Sequence, residues 1–296
     1  MNWIKELINK SVVEEFIYTP LNDLNCKLFV KRDDLIHDEI SGNKIRKLKF
    51  NLKFCKENFL DGIITFGGAY SNHLLASAAA AKMENIPIHG MVRGEELNAN
   101  SNAILKRCGE LGMELTFLNR TAFSEQKKQD GIVVIDNKKY LVIPEGGSNL
   151  LGVEGCKEII SELTDEFDYY CVAQGTTTTS IGIAESLHSN AKLIVVPVLK
   201  EFDTQVEMSK IMGVDAFEKI KTKLIILDKF HFGGYAKSTP ELLDFIHDFN
   251  RQNTFEIEPV YTGKALFALV EFLKSINISN KKVLFVHTGG LFYWKK

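Results

Sequence analysis

The residue most suited to take part in a reaction is Lys44, which lies in the octapeptide SGNKIRKL at residues 41–48. It follows Gly42 and Asn43, where the backbone turns easily, and a basic stretch with apolar residues at helical spacing begins there. A lysine buried at the start of a helix loses its proton readily and becomes a nucleophile that can form an imine with a carbonyl carbon. The alternative is a solvated basic helix start, since charge runs usually face water.

A second chemical pattern, QGTTTTSIG, lies at residues 174–182 directly after an apolar run. A phosphate binds where backbone N–H groups and hydroxyls converge at a helix N-terminus, because the helix dipole favours negative charge there. One glycine and the four threonines after it supply these groups: Gly175, Thr176, Thr177, Thr178 and Thr179. No Gly-Lys-Thr/Ser follows at Walker spacing, and the chain contains no GxGxxG. Lys47 shares a helical face with Lys44 and can add a charge to the same phosphate.

The motif GGAYSNH at residues 67–73 also joins a strand-like run to a helical pattern, here an alanine-rich one. Its paired glycines permit a tight turn or the close approach of a ligand to the backbone. Ser71 and Asn72 are equally ordinary N-cap residues, so a capped helix without chemical function is the alternative that these residues leave open.

Two motifs nearer the C-terminus also lie at predicted strand-to-helix junctions. EPVYTGKA at residues 258–265 contains a proline that fixes an extended entry to a helix, and VHTGGLF at residues 286–292 follows the last apolar run. A tyrosine such as Tyr261 is more often a core aromatic residue than a catalyst, and the second motif alone is a glycine turn. PEGGSN at residues 144–149 and GGY at residues 233–235 are weaker signals of the same kind.

Short apolar or β-branched runs alternate with helical patterns along nearly the whole chain, which predicts a parallel α/β fold with helices on both sheet faces. The predicted strands are residues 28–30, 62–66, 88–92, 114–118, 132–135, 169–173, 193–198, 224–227 and 282–286. The predicted helices are residues 71–83, 99–111, 151–163, 180–187, 240–250 and 264–275. Ligands bind beyond the C-terminal ends of parallel strands, so the motifs fall where a cleft is expected.

Taken together, the motifs resemble the 1-aminocyclopropane-1-carboxylate deaminase/D-cysteine desulfhydrase family, whose members depend on pyridoxal 5′-phosphate. The family shares the fold of the tryptophan synthase β-subunit. The matching motifs occur in the right order from the KRDD run at residues 31–34 to Phe292, nearly the full chain. The exception is residues 201–228, which carry no recognised motif and are shorter than is usual in the family.

The resemblance implies an α/β fold of type II, in which two parallel-sheet domains enclose the cofactor cleft. It implies a larger, cofactor-binding domain at residues 1–51 and 151–296, and a smaller α/β domain at residues 52–150. No linker marks either boundary in the sequence. A homodimer is likewise implied by the resemblance and not by the composition.

The resemblance also implies roles for individual residues. Lys44 would carry the cofactor as an imine and, once released, act as the base at the substrate Cα, with Ser71 and Tyr261 assisting. Asn72 would contact the 3-oxygen of the cofactor. The other cofactor contacts would be Lys47, Gly175, Thr176, Thr177, Thr178, Thr179, Thr262, Thr288 and Gly289. The substrate would be contacted by Ser71, Asn72, His73, Tyr235 and Tyr261.

The identity of residue 262 distinguishes two substrates. Family members that open the cyclopropane ring have Glu where this chain has Thr262, at the position implied to touch the pyridine nitrogen. A neutral hydroxyl cannot hold a proton there as a carboxylate can, so D-cysteine or a related β-substituted D-amino acid is the preferred prediction. The alternatives are a deaminase that gives 2-oxobutyrate and ammonia, a non-catalytic protein that binds pyridoxal phosphate, and a generic nucleotide-binding domain.

The composition is that of an ordinary globular protein and argues against several functions. Of the 296 residues 45% are hydrophobic and 25% charged, and the net charge of −2 provides no basic surface for nucleic acid. Five scattered cysteines without a CxxC pair argue against a disulfide framework or a zinc site and for a reducing compartment. The N-terminus lacks a signal-peptide pattern and the apolar run at 74–81 is too short to span a membrane, so the cytoplasm is predicted.

Overall fold

The computed structural model describes residues 2–40 and 42–291, so Ser41 of the octapeptide and Phe292 of the last motif lie outside the described residues. The strands are β1 (Val13–Phe16), β2 (Cys26–Lys31), β3 (Gly62–Gly68), β4 (Ile88–Arg93), β5 (Glu114–Leu118), β6 (Gly131–Ile135), β7 (Lys138–Ile143), β8 (Tyr169–Gln174), β9 (Lys192–Pro197), β10 (Leu224–Ile226) and β11 (Lys281–Val286). The helices are α1 (Asn2–Ile8), α2 (Asn43–Glu57), α3 (Asn72–Glu84), α4 (Ala103–Glu110), α5 (Arg120–Gln126), α6 (Leu150–Ser161), α7 (Thr178–Ser186), α8 (Thr204–Met212), α9 (Val214–Ile220), α10 (Pro240–Gln252) and α11 (Thr262–Ser275).

The larger sheet has the strand order β1-β2-β11-β8-β9-β10, and each neighbouring pair is parallel except β1 with β2. Its central strands β8, β9 and β11 are apolar and buried, as strands covered by helices on both faces must be. Val286 pairs with Val172 on one side and with Lys31 on the other. The C-terminal ends of β2, β8 and β11 therefore lie side by side.

The smaller sheet has the order β5-β4-β3-β7-β6, with β6 and β7 as an antiparallel hairpin and the other pairs parallel. Asp136 and Asn137, with φ of 50° and 61°, form the two-residue hairpin turn, a conformation that these residue types tolerate. The central strand β3 ends at Gly68, which brings residues 67–73 to the C-terminal edge of this sheet.

Buried apolar side chains form separate clusters around the two sheets. One cluster joins β3, β4, β7, α3 and α4 with side chains of α1 and α2, such as Ile4 and Ile45. Two others cover the faces of the larger sheet. All strands of the smaller sheet fall within residues 52–150, whereas α2 contacts α3 on one side and α6 on the other. The domain boundary at residue 51 stays a prediction.

The predicted fold class is confirmed, with the correction that both sheets are mixed, since β1 and β6 pair antiparallel at their edges. Each predicted strand and helix is present, although α4 begins only at Ala103 because Asn102 caps it. The sequence analysis did not predict β1 and β7, nor helices α1, α5, α8 and α9. Most of these elements are short, and two adjacent glutamates in β1 interrupt the alternation of apolar and polar residues that is typical of a strand.

All five cysteines are free thiols, and four of them are buried. No helix within the described residues is both long and apolar enough to cross a bilayer. Within the same residues, no cluster of His, Cys, Asp and Glu side chains has an arrangement that could hold a metal ion.

Candidate active site

Lys44 lies in the first turn of α2, behind the N-cap residue Gly42. Gly42 has a φ of +60°, and a β-carbon there would lie 1.8 Å from the carbonyl oxygen of Thr288. Only glycine therefore allows the loop after β11 to pack against the start of α2. The Asn43 N–H donates to the same oxygen across 3.3 Å. This contact brings Thr288 and Gly289 close to Lys44.

The environment of Lys44 favours its neutral form. The side chain is half-buried, and its Nζ donates to Asn43 Oδ1 across 2.9 Å. Burial and then the positive charge of Lys47 lower the pKa of Lys44 to about 7. Burial also lowers the pKa of Lys47, to about 8. Near neutral pH a substantial fraction of Lys44 is therefore unprotonated, as a nucleophile requires.

A buried ion network fixes the first turn of α2, so the alternative of a solvated basic helix start is wrong. The Arg46 guanidinium is fully buried and binds both Asp33 oxygens, at 2.7 and 2.8 Å, and both Glu162 oxygens, at 2.7 and 2.9 Å. Burial would raise the pKa of Asp33, but the charge and hydrogen bonds of Arg46 outweigh it, and the pKa is lowered. The network joins the charged run after β2 to α2 and α6, and so holds Lys44 in position.

The glycine–threonine loop after β8 forms a polar cup at the start of α7. Thr177, the N-cap residue, makes no side-chain cap hydrogen bond, and its Oγ1 is buried with no partner among the described residues. Lys47 Nζ donates to Thr176 Oγ1 across 2.9 Å and to the Gly146 carbonyl across 3.1 Å. The N–H groups of the first turn from Thr178, an orphaned hydroxyl and a buried amine thus converge, which fits a phosphate.

Gly175 and Thr179 complete the cup and connect it to its surroundings. Asn43 Nδ2 donates to Thr179 Oγ1 across 2.8 Å, which ties α2 to α7. A β-carbon on Gly175 would lie 3.0 Å from Tyr261 Cε1, so the tyrosine ring packs against the cup. The predicted phosphate residues therefore lie together, between Lys47 and Tyr261.

The start of α3 approaches the start of α11 across the cleft between the sheets. Ser71 Oγ accepts a hydrogen bond from Leu74 N across 3.3 Å, so Ser71 does cap α3. Accepting leaves its hydroxyl proton available for donation. A β-carbon on Gly290 would lie 3.9 Å from Asn72 Nδ2, from Glu258 Oε1 and from Tyr261 Cδ2. Groups from both sheets therefore meet around Gly290.

His73 is a buried neutral imidazole. Its Nε2 lies 2.8 Å from Thr65 Oγ1, and Thr65 donates its own proton to the Ile143 carbonyl across 2.9 Å. Nε2 must then carry the imidazole proton, which leaves Nδ1 as a buried acceptor without a partner in the described part of the chain. Burial and the charges of Lys44 and Lys47 lower the pKa of His73 to about 3. His73 can therefore accept a hydrogen bond but cannot act as an acid at neutral pH.

Glu258, which the sequence analysis did not select, organises the start of α11. It accepts from the N–H groups of Val260, Tyr261 and Thr262 at 2.6, 2.9 and 2.8 Å. Thr262 Oγ1 donates to Glu258 Oε1 across 3.1 Å and accepts from Glu258 N across 3.0 Å. Burial raises the pKa of Glu258, against the effect of these hydrogen bonds. The Thr262 hydroxyl therefore has a lone pair to offer a ligand, but no proton.

Tyr235 lies on the segment between β10 and α10, on the solvent side of Tyr261. The two ring centroids are 6.0 Å apart at an interplanar angle of 67°, and Tyr235 is 46% exposed. Burial and, to a smaller extent, the neighbouring Tyr235 raise the pKa of Tyr261 well above its ordinary value. Tyr261 therefore keeps its proton at neutral pH and can serve as a donor.

The structure thus gathers the predicted residues at the C-terminal edges of both sheets, in contact through α2, α7 and α11. Sequence reasoning missed Asn43, Gly146, Glu258 and Lys264, which bind the predicted residues or the segments that carry them. The acidic residue four positions before Thr262, ahead of a helix start, was the available signal for Glu258. The roles of these residues toward a ligand stay predictions.

An anion cup beside a lysine of lowered pKa defines a class of protein: α/β enzymes that hold a phosphorylated aldehyde cofactor through a lysine amine. The cup fits the phosphate of such a cofactor, and Lys44 fits its aldehyde. The sequence profile of pyridoxal-phosphate dependent enzymes matches residues 14–289. The chain belongs to this family, and its cofactor is pyridoxal 5′-phosphate.

Individual relatives agree with this assignment. The chain is 29% identical to a putative 1-aminocyclopropane-1-carboxylate deaminase of Pyrococcus horikoshii, over 97% of this chain and 91% of that protein. It is 30% identical to a mitochondrial bifunctional D-cysteine desulfhydrase/1-aminocyclopropane-1-carboxylate deaminase of Arabidopsis thaliana, over 90% of this chain and 72% of that protein. The crystal structure of an ACC deaminase homologue shares the fold, with a TM-score of 0.78, 24% identity and coverage of 100% and 98%.

Proposed function

We propose that the protein is a lyase that converts D-cysteine and water into pyruvate, ammonia and hydrogen sulfide. A related β-substituted D-amino acid would give pyruvate and ammonia with release of its own β-substituent. The observation that carries the proposal is the pairing of Lys44, whose pKa is lowered to about 7, with the threonine cup beside Lys47. When bound, pyridoxal phosphate supplies the electron sink that stabilises negative charge at the substrate Cα.

The roles follow from the protonation states. The cup and Lys47 would hold the phosphate of the cofactor, and Lys44 would hold its aldehyde. The free Lys44 amine would then take the proton from Cα. Ser71 donates its hydroxyl proton to the substrate carboxylate. Tyr261, which keeps its proton, donates it to the departing sulfur.

The remaining contacts orient the two ligands. Asn72 would bind the 3-oxygen of the cofactor, and Thr262, Thr288 and Gly289 would line its ring. His73 Nδ1 would accept a hydrogen bond from the substrate or from a water molecule. Tyr235 encloses the substrate from outside.

Thr262 supports elimination over ring opening. Its hydroxyl is neutral and donates to Glu258, so it would offer the pyridine nitrogen an acceptor without the full charge of a directly placed carboxylate. Loss of an α-proton requires less electron withdrawal than opening a cyclopropane that has no such proton. The second candidate function, deamination of 1-aminocyclopropane-1-carboxylate to 2-oxobutyrate and ammonia, is supported by the names of both relatives, each of which includes this deaminase activity.

A visible spectrum of the holoenzyme, followed by product assays, tests the proposal. We expect the cofactor band to shift on addition of D-cysteine but not of L-cysteine, with release of sulfide from D-cysteine. Release of 2-oxobutyrate from the cyclopropane acid without sulfide release would select the second candidate. A stable cofactor band with no product from either compound would instead indicate a non-catalytic binding protein.

We further propose that the protein works in the reducing cytoplasm as a homodimer with the two-domain division at residues 51 and 151. The five free thiols, four of them buried, support a reducing compartment. The dimer rests on the family resemblance, and light scattering of the holoenzyme at two concentrations measures it directly.

A further inference from the structure

The segment between β10 and α10, residues 227–239, holds an unusual backbone conformation. We call it the tyrosine loop because it carries Tyr235. Four of its residues have positive φ: Phe232 at 50°, Gly233 at 91°, Gly234 at 110° and Ala236 at 54°. This region is unfavourable for residues with a β-carbon, so two of the four are strained. Such a conformation persists only where the surroundings hold it.

Lys264 in α11 makes two of the hydrogen bonds that stabilise this conformation. Its side chain is fully buried, and Nζ donates to the His231 carbonyl across 2.8 Å and to the Gly234 carbonyl across 2.7 Å. The amine therefore bridges the two ends of the turn that contains Phe232 and Gly233. Burial lowers the pKa of Lys264 to about 8, although the charge of Glu258 opposes this. Burying a cation against neutral carbonyls costs free energy, which the closed turn must offset.

Three residues spaced by three along one face of α11 contact the loop. The Phe232 ring meets Phe267 edge-on at a centroid distance of 5.1 Å, and Lys264 binds the carbonyls one turn earlier. Tyr261, at the N-cap, meets Tyr235 at 6.0 Å. Residues at this spacing lie on the same side of a helix. The helix that presents Tyr261 to the cup thus also fixes the position of Tyr235.

We propose that Lys264 is a positioning residue for substrate binding, which holds the tyrosine loop so that Tyr235 forms the outer wall of the amino-acid site against Tyr261. Without this anchor the loop relaxes, Tyr235 moves away from Tyr261, and the substrate is bound less tightly while the chemistry at Lys44 continues. The identity of the substrate rests on the proposed function; the anchoring of the loop does not.

Steady-state kinetics of four holoenzyme variants test the proposal: Lys264→Met, Tyr235→Ala, the double variant, and Lys274→Met. Lys274 is the matched control, because it lies on the same helix in a surface pair with Glu271 at 3.4 Å. We expect Lys264→Met and Tyr235→Ala each to raise KM for D-cysteine roughly tenfold while kcat changes by less than about twofold. The double variant should bind no worse than Tyr235→Ala alone. Additive losses would overturn the proposal, since Lys264 would then act independently of Tyr235.

Limited trypsin digestion gives a second readout that needs no turnover. The tyrosine loop contains two exposed trypsin sites, Lys229 and Lys237. We expect faster cleavage there in Lys264→Met, and the wild-type rate in Lys274→Met. Should Lys264→Met not accumulate as folded protein, Lys264→Gln keeps N–H donors and is expected to give an intermediate rate. Unchanged cleavage in a folded Lys264 variant overturns the anchoring, whereas an inactive wild type with the expected cleavage pattern overturns only the proposed function.

Discussion

Thr177 and Glu258 represent two opposite arrangements of buried polar groups in this site. Thr177 Oγ1 has no hydrogen-bond partner among the described residues, whereas the Glu258 carboxylate accepts four hydrogen bonds. An unpaired buried hydroxyl destabilises the folded protein, and a ligand that supplies the missing partner removes that cost. The Glu258 carboxylate is therefore satisfied within the protein, whereas the Thr177 hydroxyl is unpaired in the proposed phosphate cup.

Replacing Thr177 with valine should therefore have opposite effects on stability and on binding. Without cofactor we expect the free energy of unfolding to stay equal or rise by up to about 1 kcal/mol, because an unpaired hydroxyl disappears. The affinity for pyridoxal phosphate should fall roughly tenfold, the value of one hydrogen bond to a charged group. Urea unfolding and a fluorescence titration measure the two quantities.

Thr179→Val is the matched control for the stability measurement. Thr179 Oγ1 already accepts from Asn43 Nδ2 across 2.8 Å. Its loss should lower the free energy of unfolding of the cofactor-free protein. Similar destabilisation by both substitutions would contradict the assignment of Thr177 as a phosphate ligand.

The lowered pKa of Lys44 predicts a pH dependence of stability. Burial and Lys47 lower this pKa from 10.5 to about 7 on folding, so between these values the unfolded chain binds more protons at this position than the folded one. Stability then rises with pH across this window. We expect the cofactor-free wild type to gain stability relative to Lys44→Met between about pH 7 and pH 10. Parallel urea titrations at several pH values measure it; a constant difference would show that the amine is charged in the folded protein.

At the scale of elements, α2 illustrates what the sequence could predict and what it could not. The helix and its reactive lysine follow from local residues, because turn formers and an apolar spacing adjoin each other in the chain. The inward orientation of Arg46 depends on Asp33 and Glu162, which are 13 and 116 positions away. Contacts at that separation leave no local pattern, so the basic run resembled a solvated surface.

The network around Arg46 predicts a large loss of stability from a single substitution. Arg46→Met leaves the buried carboxylate of Asp33 without its cation, and we expect the free energy of unfolding to fall by about 3–5 kcal/mol. Arg107→Met is the control, because Arg107 pairs with Glu39 and Glu110 at the surface, where water screens the pairs, and its loss should matter far less. Urea unfolding of both variants decides; equal effects would show that the buried network contributes no more than a surface pair.

The predicted parts of the site depend on local sequence patterns, whereas the missed parts depend on contacts between residues far apart in the chain. The cup, the Asn72 motif and the Tyr261 motif were found because each is a local strand–glycine–helix junction, and parallel sheets place such junctions at one edge. Lys264 was missed because its partners His231 and Gly234 lie 33 and 30 residues earlier, across α10. The positions of these junctions could be predicted from the local sequence, whereas the distant groups that hold them in place could not.

In the whole molecule, the candidate site unites two sheets that have separate hydrophobic clusters. The cup and α7 belong to the larger sheet, and Asn72 at the start of α3 belongs to the smaller one. Side chains of α2 pack into the cluster of the smaller sheet while the helix also contacts α6. A cofactor held by Thr177 at one end and Asn72 at the other therefore adds a link between the two halves.

That link predicts how the cofactor stabilises the molecule. Saturating pyridoxal phosphate at one hundred times its Kd should raise the free energy of unfolding by about 2.7 kcal/mol, and the gain should grow with concentration. Hydrogen exchange should slow at the first turns of both α3 and α7, because under the proposed roles groups of both sheets bind the same ligand. Pyridoxal without its phosphate, the control ligand, should protect the start of α3 and leave α7 nearly unchanged. Protection confined to α7 with the full cofactor would mean that the smaller sheet takes no part in holding it, and Asn72 would then lose its proposed role.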